Sequence, residues 1–121
     1  MIYASLSVME ESQALNSKIF SLVRMKLLES LVALGADGAT YRELRAALDV
    51  KDGVLYSNLN VLQEMGYIKL AEIEFEGKKL DSYTITPEGR AEWEQVKKWL
   101  CKFLACGGEG NGKAGETNCM F

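Results

Sequence analysis

Apolar residues recur at helical spacing through "KIFSLVRMKLLESLVAL", where Ile19, Leu22, Val23, Leu27 and Leu31 predict one continuous helix over residues 18–34 that "GADGA" stops. Residues 1–16 are also rich in helix formers, with Met9 and Leu15 among Ser and Asn, and predict a short added helix or an extension of that one. Thr40 then precedes "YRELRAALDV" with Glu43 three positions on. That is the pattern in which a hydroxyl and a carboxylate satisfy the free N–H groups of a helix start, and it predicts a second helix over 41–48. A third runs from about residue 52 to 65, with Leu55, Leu59 and Leu62 on one face, and ends at Gly66, which tolerates positive φ. From Tyr67 the period changes to two. Ile68, Leu70, Ile73 and Phe75 alternate roughly with charged residues, "EGKK" turns, and "LDSYTIT" answers with Leu80, Tyr83 and Ile85, which predicts a β-hairpin. Thr86 and Pro87 open a last helix that runs to about residue 105: Thr caps, and Pro sits where its missing N–H costs nothing.

The order helix, helix, helix, hairpin, helix is an α+β, mainly α arrangement: a winged helix-turn-helix with a three-helix core, a two-stranded wing and an additional C-terminal helix. The chain divides into an N-terminal extension, read as helical (1–17), a winged helix-turn-helix domain (18–90), a C-terminal helix (91–106) and a tail (107–121). The tail holds five glycines in fifteen residues and no periodicity, so disorder is expected there.

Composition narrows the function without naming it. At 121 residues, 48% hydrophobic and 26% charged, the chain fits one globular domain. No apolar run reaches membrane-spanning length and the first residues lack a secretory pattern, so a cytoplasmic protein is expected. The three cysteines fall outside the predicted core and make no disulfide framework, so reduced thiols are the default. With no histidine, no glycine-rich loop between strand and helix, and carboxylates scattered on amphipathic faces, the chain carries no enzyme signature and calls for no cofactor. Its net charge of -3 is not the footprint of a nucleic-acid binder, and residues 40–90 repeat the deficit, with seven basic side chains against nine carboxylates (7 − 9 = −2).

The residues themselves carry a resemblance. "ELRAALDV", "GVLYSNLNVLQEMGYI", the turn "EGKK" and "TITPEGR", in this order and spacing over about residues 18–105, resemble the small prokaryotic, archaeal-type winged-helix regulators of the MarR/ArsR kind. The resemblance implies a dimeric transcription regulator that binds double-stranded DNA sequence-specifically, with the third helix in the major groove and the wing along the backbone.

Setting Leu55 at 0° and turning about 100° per residue puts Leu59, Leu62, Met65, Val54 and Val61 in an arc from about 240° to 40°, the expected core face. Gly53, Tyr56, Ser57, Asn60, Gln63 and Glu64 fall between about 80° and 200°. Asn and Gln can bond adenine through two hydrogen bonds, Ser and Tyr can reach bases or phosphates, and Gly53 lets the helix start approach a duplex closely. The other reading of this face is solvated polar surface. Asn58 falls at about 300°, inside the apolar arc, and is expected to be partly buried and bonded to backbone.

Arg42, Arg45 and Lys51 are candidate phosphate contacts, or a surface salt-bridged to Glu43 and Asp49. Arg24 is given no DNA role. Lys78 and Lys79 near the hairpin tip either meet phosphates or keep an ordinary turn soluble, and the surrounding Glu72, Glu74, Glu76 and Asp81 weaken the first reading. In the last helix Trp93, Val96, Trp99, Leu100, Phe103 and Leu104 make an apolar arc wide enough for a partner, read as a second copy, or for intramolecular packing. Cys101 and Cys106 point about 140° apart on a helix, which disfavours a shared metal, and no metal site is expected. Idle thiols and an intersubunit redox pair are both open for them. Since winged helices serve both purposes, the alternative function is a protein–protein interaction module that has lost DNA binding.

Overall fold

The computed structural model describes residues 2–106, with side chains from 6 to 105, so the glycine-rich segment 107–121 lies outside the described residues. Its elements are α1 (Ile2–Glu11), α2 (Leu22–Leu34), β1 (Ala39–Thr40), α3 (Tyr41–Leu48), α4 (Asp52–Glu64), β2 (Ile68–Phe75), β3 (Lys78–Ile85) and α5 (Pro87–Cys106), with short 3-10 turns at Ser12–Ala14, Ser17–Ile19 and Gly35–Asp37. The chain gathers into two compact units, residues 18–90 and the segments that flank them. The arrangement is mainly helical with a small antiparallel sheet, a winged helix.

In the unit 18–90, α2 starts later than the periodicity predicts. Ser21 is in extended conformation and its hydroxyl accepts a hydrogen bond from the Arg24 N–H at 3.1 Å, so the helix opens at Leu22. A side-chain cap outweighs a run of helix formers here, because it satisfies a donor that the helix itself leaves free. Leu27, Leu28 and Leu31 of α2 are fully buried with Leu44 of α3 and Leu55, Leu59 and Leu62 of α4. Each such leucine contributes roughly 1.5–3 kcal/mol by leaving water. Both halves of the capping box at α3 are present: the Glu43 N–H donates to Thr40 Oγ1, and the Thr40 N–H donates to Glu43 Oε1.

The buried arc of α4 is narrower than the wheel suggests. Val54 is 43% exposed and Val61 and Met65 are only half-buried, since they lie on the flank of the arc rather than under α2 and β2. Gly66, just past α4, has φ of 80°. The sheet holds three strands in the order β1-β3-β2 rather than two, with Ala39 opposite Tyr83 and Thr40 opposite Ser82. The hairpin turns on Glu76 and Gly77 alone, both with positive φ, so Lys78 and Lys79 belong to β3, opposite Phe75 and Glu74. A two-residue turn of this hand matches the twist of the strands it joins. At the start of α5 the Gly89 N–H donates to Thr86 Oγ1 at 3.0 Å, and the Thr86 hydroxyl donates to the Gly66 carbonyl at 2.7 Å.

In the other unit the Trp99 indole N–H donates to the Val8 carbonyl at 2.8 Å, and its ring stacks on Phe103 with centroids 4.9 Å apart. Lys102 pairs with Glu11 at 3.1 Å. These contacts hold α1 on the second half of α5.

Candidate nucleic-acid interface

The polar face of α4 stands clear of the unit that carries it. Tyr56 is 59% exposed, Gly53, Ser57, Gln63 and Glu64 are exposed, and Asn60 is half-buried. Leu55, Leu59 and Leu62 anchor the opposite side, so the exposed amides and hydroxyls are held on a helix that cannot roll. Amides and hydroxyls both donate and accept, which is what base edges in a major groove demand.

Asn58 behaves as its wheel position predicts. Its Nδ2 donates to the Val54 carbonyl at 2.7 Å, and its Oδ1 accepts from Arg24 Nε at 2.8 Å. Arg24 also donates through Nη1 to the Lys18 carbonyl at 2.6 Å, so both side chains are engaged within the unit.

Arg42, Arg45 and Lys51 are all exposed. Among the described residues Arg42 and Lys51 make no ion pair. The partner of Arg45 is neither Glu43 nor Asp49 but Asp52, the first residue of α4, at 3.0 Å from Nε to Oδ1. The Tyr41 hydroxyl joins them, donating to the Asp52 carbonyl oxygen at 3.0 Å and to its Oδ1 at 3.2 Å. Partial burial, followed by the negative Asp52 beside it, holds the Tyr41 hydroxyl above the ordinary tyrosine range. Burial likewise raises Tyr83, helped by Asp81 and by Tyr56. Asp52 and Tyr41 are the residues that sequence reasoning passed over. The available signal was an acid opening a helix just after a tight turn, where it suits the helix's positive end and meets the last turn of the preceding helix.

The wing is two-faced. Strand period two places Glu72 and Glu74 on one side with their partners Asp81 and Lys79. The other side carries Lys69, Ile73 and Phe75, with Leu80 opposite Ile73 and Lys78 opposite Phe75. Lys78 and Lys79 therefore point to opposite faces, and the apolar positions switch sides between Leu70 and Ile73 instead of continuing one stripe. Phe75 is 58% exposed.

On α5, Trp93 and Val96 are buried within the single chain, while Trp99 and Leu100 are half-buried. The exposed apolar surface is thus narrower than the six-residue arc, with Phe103 and Leu104 exposed on α5; Leu6 and Met9 of α1 are exposed as well. Cys101 is disulfide-bonded, which replaces the expectation of reduced thiols. Cys119 lies outside the described residues, and of Cys106 only the backbone is described. Among the described residues no group of three or more metal-ligating side chains gathers, and no helix is long and apolar enough to cross a membrane.

The family described as a winged helix DNA-binding domain matches residues 23–104. In fold the chain is similar to smu.1704 from Streptococcus mutans UA159, whose crystal structure superimposes with a TM-score of 0.56 at 19% sequence identity, covering 73% of this chain and 87% of that one. No curated protein matches the chain.

Proposed function

The chain belongs to the family of winged-helix DNA-binding domains, and on that premise we propose that it is a sequence-specific regulator of transcription that binds duplex DNA as a homodimer. The observation that carries this reading is the exposed face of α4, where Tyr56, Ser57, Asn60 and Gln63 project beside Gly53 with Arg42 and Lys51 close in sequence to the helix start. Base contacts come from the amides and hydroxyls, and Arg42, Arg45, Lys51 and Lys78 supply backbone contacts. Lys79 faces the wing's carboxylates and adds less. The MarR/ArsR-like motifs support the same docking, with α4 in the major groove and the two half-sites about 34 Å apart. Such a role puts the chain in the cytoplasm, with its DNA.

The homodimer reading rests on Phe103, Leu104, Leu6 and Met9, apolar side chains that a solitary domain gains nothing by exposing. A protein-interaction module is the second reading. Exposed Ile73 and Phe75 on the wing, at 38% and 58%, favour it.

A gel-shift assay on the protein's own upstream DNA separates the two, run at about 50 and 200 mM salt. The regulator reading expects a retarded fragment preferred over bulk DNA, weaker at the higher salt. Joint replacement Ser57→Ala and Asn60→Ala should weaken that complex about tenfold or more, since a good base contact contributes roughly 1–3 kcal/mol. If no fragment is preferred at either salt, the interaction-module reading stands instead.

A further inference from the structure

Asp52 holds an unusual place for a carboxylate on a surface meant for DNA. It opens α4 beside the last turn of α3; its Oδ1 accepts from Arg45 Nε at 3.0 Å and, at 3.2 Å, shares the single Tyr41 hydroxyl proton with its own backbone carbonyl, 3.0 Å from that hydroxyl. A guanidinium N–H and a tyrosine hydroxyl converging on one anionic oxygen is the donor set that a phosphodiester oxygen receives from a protein. The Arg45 and Asp52 side chains are 56% and 63% exposed, so the pair is open to solvent and to an incoming anion. Neither Arg42 nor Lys51 makes an ion pair among the described residues, so the internal anion is matched to Arg45 alone.

We propose that Asp52 is an internal competitor for DNA phosphate: its carboxylate occupies the Arg45 guanidinium in the free protein, beside the Tyr41 hydroxyl, and a duplex must displace it to gain that cation. An exposed pair of this kind contributes at most about 1 kcal/mol, weak enough for a duplex to break. Displacement leaves the Asp52 carboxylate unpaired beside the backbone, so the net gain from Arg45 is small on any sequence. The consequence is restrained affinity. The cost is the same on every sequence, so binding is weakened throughout while discrimination between sites is left to the α4 amides. This inference rests on the DNA-binding reading and assigns within it a residue that reduces affinity.

The test is fluorescence anisotropy with the full chain on two labelled duplexes, the upstream fragment and a random sequence of equal length, across about 50 to 200 mM salt. Asp52→Asn should tighten binding to both duplexes alike, by about two- to fivefold, and steepen the salt dependence by about one phosphate contact. Arg45→Ala should cost wild-type protein less affinity than it costs the Asp52→Asn variant, where it cancels the gain. Asp52→Ser should repeat the Asn result, and carries the comparison if the Asn variant melts early. If removing the carboxylate weakens binding or leaves it unchanged, or if Arg45→Ala costs the same in both backgrounds, Asp52 positions Arg45 and the proposal is overturned. If wild type and every variant bind neither duplex, the DNA-binding reading has failed as well, which is a distinct result.

Discussion

Asn58 and Asn60, two positions apart on α4, use the same amide in different ways. Asn58 closes a bridge from the Val54 carbonyl to Arg24, while Asn60 faces outward with its neighbours Tyr56 and Ser57. Asn58→Ala should therefore destabilise the fold by about 1–2 kcal/mol in denaturant melts, since it leaves the Arg24 guanidinium short of an acceptor. The loss should not add to that of Arg24→Ala, because the two act on one network. Asn60→Ala should stay within about 0.5 kcal/mol of wild type. The tyrosines add a pH dependence. Tyr41 and Tyr83 are both raised in the fold, so their neutral forms stabilise it. That contribution is complete below the ordinary tyrosine value of about 10 and is lost as pH rises through the raised folded value. Thermal midpoints should fall above about pH 10, and Tyr83→Phe should fall less steeply than wild type.

Where elements meet, backbone approach matters more than propensity. A Cβ added at Gly89 would stand 2.1 Å from the Tyr67 carbonyl oxygen, so the first turn of α5 crosses the start of the wing at a distance only glycine permits. Gly89→Ala should cost roughly 2–3 kcal/mol or more in a thermal melt. Gly53 on α4 is the opposite case, with nothing within 4 Å of an added Cβ. Gly53→Ala should raise stability by about 0.5–1 kcal/mol, yet weaken DNA binding if the backbone there approaches a duplex. The contrast marks what a sequence discloses. The capping box at Thr40, the hairpin and the end of α4 at Gly66 were legible because local chemistry sets them. Strand β1 was not, since two residues become a strand only by pairing with β3. The start of α2 was misplaced because a single serine hydroxyl settles it. The partner of Arg45 was not legible for a related reason: it depends on how the turn after Leu48, with Asp49 left-handed at φ of 52°, aims α4 back at α3. The exposed face of α4 was readable from its period, though its width was not.

For the molecule as a whole, a net charge of -3 predicts little long-range attraction to DNA, so affinity has to come from contacts made at close range. The wing's carboxylates gather on one face, which leaves Lys69 and Lys78 on the other without an acidic cross-strand partner. Assembly is the other property at this scale. Leu104, 70% exposed, should be a focal contact between copies. Leu104→Glu should shift sizing chromatography from dimer to monomer and lower affinity for a two-fold site; a wild-type chain that elutes as a monomer contradicts the homodimer. The most direct measurement is a titration of isotope-labelled protein with its upstream duplex, followed by backbone amide chemical shifts. The largest changes should fall at Gly53, Tyr56, Ser57, Asn60 and Gln63, with Asp52 and Arg45 moving together. Changes confined to the wing or α5, with α4 silent, would contradict docking through α4.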